Sequence, residues 1–234
     1  NVQEATTRRL PDLKERHLPE NCRETINTIL KETYGYEQFR NLEIYDDLSK
    51  GKEKLCISQG QLIENVILEA EKAWKGETQV DNILLTAPTG SGKSLLFQLP
   101  AIYLGKEYNL LTIVVSPLKA LIVDQVESLQ ELGYMRVAYA SSDLSPEQKM
   151  EVYRQVREGE IDLFYLSPEL LLSYDIKHFV GERRIGLVVV DEAHTVTTWG
   201  KEFRVDYWFL GRYLNTLKQT LGYNFPLFAL TATA

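Results

Sequence analysis

Apolar positions in this chain follow a helical rhythm first, then an alternation of strands and helices. Ile26, Ile29 and Leu30 recur at helical spacing within residues 20–33, and Gly35 follows as a left-handed cap. Leu62, Ile63, Val66, Ile67 and Ala70 mark a second helix within 61–74. Strands are predicted at 83–86, 111–116, 136–140, 161–166, 187–190 and 227–231. Helices are predicted between them at 93–104, 120–132, 146–157, 168–172 and 205–221. Ser145 and Pro146 supply an N-cap and a first-turn proline for the helix that begins there. Thr112 to Val115 and Val188 to Val190 are continuous β-branched runs, which suit strands buried on both faces. The pattern predicts an α/β fold: a three-layer parallel sheet between helices, with an N-terminal helical extension.

Two stretches fall outside that pattern. Residues 1–19 are polar, contain Pro11 and Pro19, and read as an irregular lead-in rather than core. Residues 37–58 include the charged run from Asp46 to Lys54, which reads as a solvated surface loop. The chain therefore divides into 1–60, an arm with one helix and a charged insert, and 61–234, a single α/β lobe.

Composition narrows the class. An apolar content of 44% supports a sizeable core. No run of about 18 apolar residues exists, so no membrane span is expected. No signal peptide is expected, and the first residue, Asn1 rather than Met, suggests a processed or engineered product. Two cysteines, Cys22 and Cys56, lack zinc or disulfide spacing, which points to a reducing, intracellular setting, cytoplasmic or nuclear. The net charge of −7 lacks the basic footprint of an autonomous DNA-binding domain. It argues only weakly against a nucleic-acid motor, whose contacts can be local.

Between the first strand and the next helix lies Ala87-Pro88-Thr89-Gly90-Ser91-Gly92-Lys93-Ser94. Small residues let backbone N–H groups turn inward around a phosphate chain, and the helix N-terminus adds partial positive charge. Lys93 reaches the β- and γ-phosphates and Ser94 offers a hydroxyl to Mg²⁺. This is a Walker A loop with Ala87 at the usual first glycine. The strand Leu187 to Val190 runs into Asp191-Glu192-Ala193-His194. Alone, a strand ending in two carboxylates would be a surface turn. Beyond the carboxyl end of a parallel strand, downstream of a phosphate loop, Asp191 can hold the Mg²⁺ shell and Glu192 can polarise an attacking water. His194 is either a structural histidine or a link between the nucleotide site and its neighbour. Thr231 and Thr233, after the last strand, are an ordinary strand end, a γ-phosphate sensor or a tie across a cleft.

Taken together, these motifs resemble the first RecA-like lobe of a superfamily-two helicase, and more specifically the DEAH-box RecQ family. Tyr34 to Arg40 resembles that family's motif 0, and Thr89 to Leu95 with Phe97 to Ala101 its motif I. Ser116-Pro117-Leu118 with Asp124-Gln125-Val126 resembles motif Ia, and Tyr165 to Glu169 motif Ib. Trp199-Gly200, Phe203-Arg204 and Tyr207 resemble the aromatic-rich loop after the DEAH box. The resemblance implies ATP and Mg²⁺ as cofactors, with Tyr36 and Arg40 stacking on adenine and a glutamine reading its edge. Nucleotide contacts fall to Thr89, Gly90, Ser91, Gly92, Lys93 and Ser94. Ser116, Pro117, Leu118, Ser167 and Pro168 lie near the DNA backbone, and Trp199, Phe203 and Arg204 meet single-stranded DNA. The implied activity is ATP hydrolysis coupled to 3′-to-5′ translocation and unwinding, with roles in DNA repair and recombination.

The chain departs from the family pattern in three places. The glutamine that normally follows the motif 0 arginine by three is replaced by Glu43. Gln61 is the candidate substitute, Gln59 its rival, with an insertion of about 18 residues looping out. Thr197-Thr198 and Lys201 replace the family's residues around the tryptophan. The chain stops at Ala234, before the second lobe whose arginines would face the γ-phosphate. These 234 residues alone are therefore expected to bind nucleotide weakly and hydrolyse it hardly at all. Expected partners are single-stranded or partly duplex DNA and the second lobe. Two other functions fit the motifs: an RNA helicase or non-unwinding translocase, and a non-hydrolysing nucleotide-dependent scaffold.

Overall fold

A computed structural model of the protein describes residues 14–45, 54–87, 90–192 and 201–231, the side chains of 45, 54, 55, 201–209 and 211 excepted. In chain order the elements are α1 (Glu20–Tyr34), β1 (Asn41–Tyr45), β2 (Lys54–Ser58), α2 (Gln59–Trp74), β3 (Ile83–Thr86) and α3 (Leu95–Tyr108). Next come β4 (Leu111–Val115), α4 (Lys119–Glu131), β5 (Val137–Ala140), α5 (Pro146–Arg157), β6 (Leu163–Leu166) and α6 (Pro168–Ser173). The last are α7 (Ile176–Val180), β7 (Ile185–Val190), α8 (Lys201–Leu221) and β8 (Leu227–Thr231). Six strands form one sheet in the order β3-β8-β7-β4-β6-β5, with every pair parallel.

Alternation along the strands divides the core into two layers. Val114, Tyr165, Leu187 and Val189 face one side, where α1, α2, α3 and α4 supply Ile26, Ile63, Phe97 and Val126. Ile113, Phe164 and Val188 face the other, packed by Tyr153 of α5, Phe179 of α7 and Leu214 of α8. This is the three-layer α/β arrangement that the β-branched runs predict. The inner strands β4, β6 and β7 can be apolar almost throughout because neither face meets water, whereas the edge strand β3 leaves Leu84 exposed.

Three readings of the N-terminal region change. Residues 37–58 are not simply a loop: β1 and β2 pair antiparallel from Asn41↔Ser58 to Tyr45↔Lys54, so the insertion is a hairpin with Leu42, Ile44 and Ile57 buried. Its tip, 46–53, lies outside the described residues. The lead-in is not wholly outside the core either. Leu18 is buried in the same cluster as α1 and α2, and its N–H donates to Glu64 Oε2 at 3.0 Å. Residue 60 separates no cores, since one cluster spans both sides of it. The short helix α7 has no counterpart in the predicted elements.

Arg16 anchors the lead-in. Its Nη2 donates to the fully buried Glu69 carboxylate at 2.5 Å, joined by Lys72 Nζ at 3.0 Å and the Asp81 N–H at 2.8 Å. Burial alone would raise the Glu69 carboxyl pKa, but the three donors outweigh it and hold it below the usual range. A depressed folded-state pKa stabilises above the unfolded value, about 4.3, and that contribution is lost as pH falls through the folded value. Glu69→Gln is expected to cost about 1–3 kcal/mol at pH 7, with the deficit narrowing below about pH 4.3. Thermal unfolding of both proteins from pH 7 to pH 3 checks this, and a deficit independent of pH contradicts it.

Candidate functional site

The carboxyl ends of β3, β8, β7, β4 and β6 carry the residues that the sequence singles out. After β3 the chain turns through Ala87, which is fully buried and donates its N–H to the Thr231 carbonyl of β8 at 3.0 Å. Gly90 and Gly92 hold φ of 78° and 80°, the left-handed region open to glycine, and α3 starts just beyond Ser94. Lys93 Nζ donates across the loop to the Ala87 carbonyl at 3.0 Å. The Ser91 hydroxyl oxygen is buried and unpartnered among the described residues. Ser94 occupies the N-cap position of α3, yet its side chain makes no capping bond there, so capping does not consume that hydroxyl.

Asp191 follows β7 and is 4% exposed. Its N–H donates to Val115 of β4 at 2.9 Å, which fixes its backbone. Oδ1 accepts from the Glu192 N–H at 2.9 Å and Oδ2 from Gln125 Nε2 at 3.2 Å. Burial, and then the neighbouring Glu192 charge, push the Asp191 pKa above its ordinary value. The Glu192 N–H, Gln125 and the Lys93 ammonium pull it back only in part. Glu192 adopts φ of 51°, the left-handed region that side chains rarely enter. Strain of that kind is found where the surroundings hold a group in a working position.

The hairpin reshapes the other flank. Pairing of β1 with β2 returns the chain to where it left, so that Gln59 N–H donates to the Arg40 carbonyl at 2.8 Å. The Gln59 side chain accepts from the Arg40 N–H at 3.1 Å, and its Nε2 lies 3.5 Å from the Ser91 carbonyl. A Cβ at Gly92 would stand 2.8 Å from that same Nε2. Gln59 therefore faces the phosphate loop, whereas Gln61 turns away and donates to the Arg16 carbonyl at 2.9 Å. Of the two candidate glutamines, Gln59 thus lies against the phosphate loop and Gln61 against the lead-in. Tyr36 is exposed, and the Arg40 guanidinium carbon lies 5.6 Å from its ring centroid. A planar group stacked between them needs about 7 Å, two layers of van der Waals contact, so the pair would have to part to admit one.

The remaining predicted residues divide by strand end. Ser116 is buried at the end of β4, with Pro117 half-buried and Leu118 exposed beside it. Ser167 caps α6 by accepting the Leu170 N–H at 3.3 Å, and Pro168 is buried behind it. Both groups stand at neighbouring strand ends, because β4 pairs with β6. Thr89, His194, Trp199 and Thr233 lie outside the described residues, as do the side chains of Phe203 and Arg204. Sequence reasoning quoted Gln98, Gln125 and Tyr165 only as parts of motifs. Each is buried and hydrogen-bonded to another. Gln98 and Tyr165 stand out as polar groups in apolar segments, whereas Gln125 lies in an amphipathic helix and carries no such signal.

The DEAD/DEAH box helicase family model matches residues 62–234. The chain is 34% identical over 217 residues to the "ATP-dependent DNA helicase RecQ" of Synechocystis sp., covering 91% of this chain and 38% of that protein. It is 30% identical over 210 residues to the RecQ protein of Haemophilus influenzae, covering 90% of this chain and 28% of the relative. The chain thus spans well under half the length of these relatives. Among solved structures, the helicase MrfA bound to DNA and AMPPNP superposes with a TM-score of 0.59 at 20% identity, over 93% of this chain and 27% of that one. A hypothetical ATP-dependent RNA helicase from Sulfolobus tokodaii superposes with a TM-score of 0.55 at 19% identity, over 92% and 51%. At such identities the two structures speak for the fold alone.

Proposed function

Because this chain belongs to the DEAD/DEAH box helicases and its curated relatives are RecQ-type, we propose that it is the ATP-binding lobe of a RecQ-like, ATP-dependent DNA helicase. The observation that carries the reading is the convergence at one end of the sheet. The loop bearing Lys93 and Ser94 and the strand end bearing Asp191 and Glu192 flank the single strand β8. Lys93 exchanges its bond to the Ala87 carbonyl for the phosphates of ATP, and the backbone of 90–94 wraps them. Ser94 and Asp191 fit a hard divalent ion: a hydroxyl free of capping duty and a buried carboxylate. Bound there, Mg²⁺ would neutralise charge on the β- and γ-phosphates. Glu192 accepts a proton from the attacking water. Gln59 reads the adenine edge, and Tyr36 and Arg40 part to stack on the base. Ser116, Pro117, Leu118, Ser167 and Pro168 form the DNA-facing rim, and Trp199, Phe203 and Arg204 are the further residues assigned to single-stranded DNA by family resemblance.

The relatives' extra length supports a second lobe that completes the site with arginine, a contribution of roughly 10³–10⁵ in rate. Activity is then expected inside cells, on single-stranded and partly duplex DNA. Among the described residues no helix is long and apolar enough to cross a membrane.

The base reading separates two neighbouring glutamines. Gln59→Ala is expected to weaken ATP binding about tenfold and erase preference over GTP, while Gln61→Ala stays within about twofold. Competition binding with ATP and GTP checks this, and the opposite ranking contradicts it. Glu192→Gln, placed in a protein carrying both lobes, should keep ATP binding and lose about 10²–10⁴ in DNA-stimulated turnover. Steady-state ATPase assays decide it, and unchanged turnover excludes Glu192 as the base. The 234 residues alone should turn over well below about 1 s⁻¹ even with single-stranded DNA. Faster hydrolysis would contradict the need for a second lobe.

A further inference from the structure

A line of hydrogen bonds crosses the apolar layer beneath the phosphate loop. Tyr34 Oη donates to Gln98 Oε1 at 3.3 Å, and Gln98 Nε2 donates to Tyr165 Oη at 3.2 Å. Tyr165 Oη donates to Gln125 Oε1 at 3.1 Å, and Gln125 Nε2 donates to Asp191 Oδ2 at 3.2 Å. Tyr165 is fully buried, and Gln98 and Gln125 are nearly so. These groups come from α1, α3, β6 and α4, and apolar side chains of similar size would fill the same space. A buried polar chain is costly unless every member is satisfied, so its presence points to what lies at its ends.

One end is the Asp191 carboxylate. Near the other, the Gln98 backbone N–H donates to the Ser94 carbonyl at 2.9 Å, tying the line to the first turn of α3. Ser94 and Asp191 follow strands that are not neighbours, because β8 separates β3 from β7. Strand order therefore sets their separation only coarsely and leaves the side-chain positions to other contacts. We propose that Gln98, Tyr165 and Gln125 are positioning residues, a buried brace that sets Asp191 against Ser94 and prepares the two donors for a divalent cation. The proposal rests on the nucleotide-site reading above.

Direction is what makes the brace specific. Tyr165 Oη accepts from the Gln98 amide, so its single hydrogen goes to the Gln125 oxygen. That fixes the Gln125 amide with its NH₂ toward Asp191. Without the Tyr165 hydroxyl, the Gln125 amide loses the partner that sets its orientation. Turned over, it would present oxygen to a carboxylate and push Asp191 away from its position. Partners of this kind behind metal ligands are worth about 10–100-fold in metal affinity.

The test uses the 234-residue chain and a fluorescent, non-hydrolysable ATP analogue, titrated once with Mg²⁺ and once with EDTA. Thermal unfolding reports whether each variant is folded. In the unaltered chain, Mg²⁺ should tighten analogue binding. Tyr165→Phe keeps the ring and should cut that Mg²⁺-dependent gain by about tenfold, with affinity in EDTA within about twofold. Gln125→Met should do the same and carries the test if Tyr165→Phe does not fold. The double variant should lose no more than Gln125→Met alone, because both act through one path. An unchanged Mg²⁺ gain in folded variants overturns the brace. Equal losses with Mg²⁺ and with EDTA also overturn it, since they mark a purely structural role. If the unaltered chain binds no analogue under either condition, the nucleotide-site reading itself falls.

Discussion

Keeping a carboxylate out of water at the end of a buried strand is the constraint on which this structure turns. Asp191 directly follows β7, a strand covered on both faces and flanked on both edges. Removing an ionised group from water costs several kcal/mol unless partners replace the lost hydration. The Glu192 N–H, the Gln125 amide and the Lys93 charge replace it in part, and the carboxyl pKa stays raised. A partly compensated anion beside a glycine-rich turn suits a cationic ligand. Strand order then sets the scale. With β8 alone between β3 and β7, loop and acid stand about two strand spacings, roughly 10 Å, apart. The bond from the Ala87 N–H to the Thr231 carbonyl closes the frame.

The base side obeys a different constraint. A chain that inserts many residues between Arg40 and the next useful glutamine must bring its ends back together. Loop closure of that length costs little, and strand pairing offsets the cost. The hairpin leaves Arg40 and Gln59 joined by two hydrogen bonds, as if they were near neighbours in sequence. The insertion therefore adds a hairpin while keeping Arg40 beside Gln59.

Much of this was legible in the chain. The β-branched runs Thr112–Val115 and Val188–Val190 required strands buried on both faces, and Ser145 with Pro146 marked a helix start that is observed with a full capping box. The loop 87–94 and the pair Asp191-Glu192 reach the same sheet end because parallel strands point their carboxyl ends one way. What stayed hidden depends on pairing at a distance. Alternating Leu42 and Ile44 lay within a charged neighbourhood, so the hairpin resembled a loop. Gln61, just ahead of the helix, was the candidate over its rival Gln59, and only the register Asn41↔Ser58 decides which amide faces Ser91. Leu18 sat among polar residues, and its burial follows from Arg16 meeting Glu69 across α2. Gln98 and Tyr165 gave polarity in apolar runs, a sign that something buried binds them but not what, and Gln125, in an amphipathic helix, gave no such sign.

If Lys93, Gln59 and Asp191 serve one nucleotide site, an adenine nucleotide should engage all three together. A crystal structure of the chain with Mg²⁺ and a non-hydrolysable ATP analogue tests it most directly. The expected result is the phosphates within the loop, Lys93 Nζ moved from the Ala87 carbonyl onto them, and the adenine edge on the Gln59 amide. An analogue bound elsewhere, with Lys93 still on Ala87 and Gln59 still on Ser91, would contradict it.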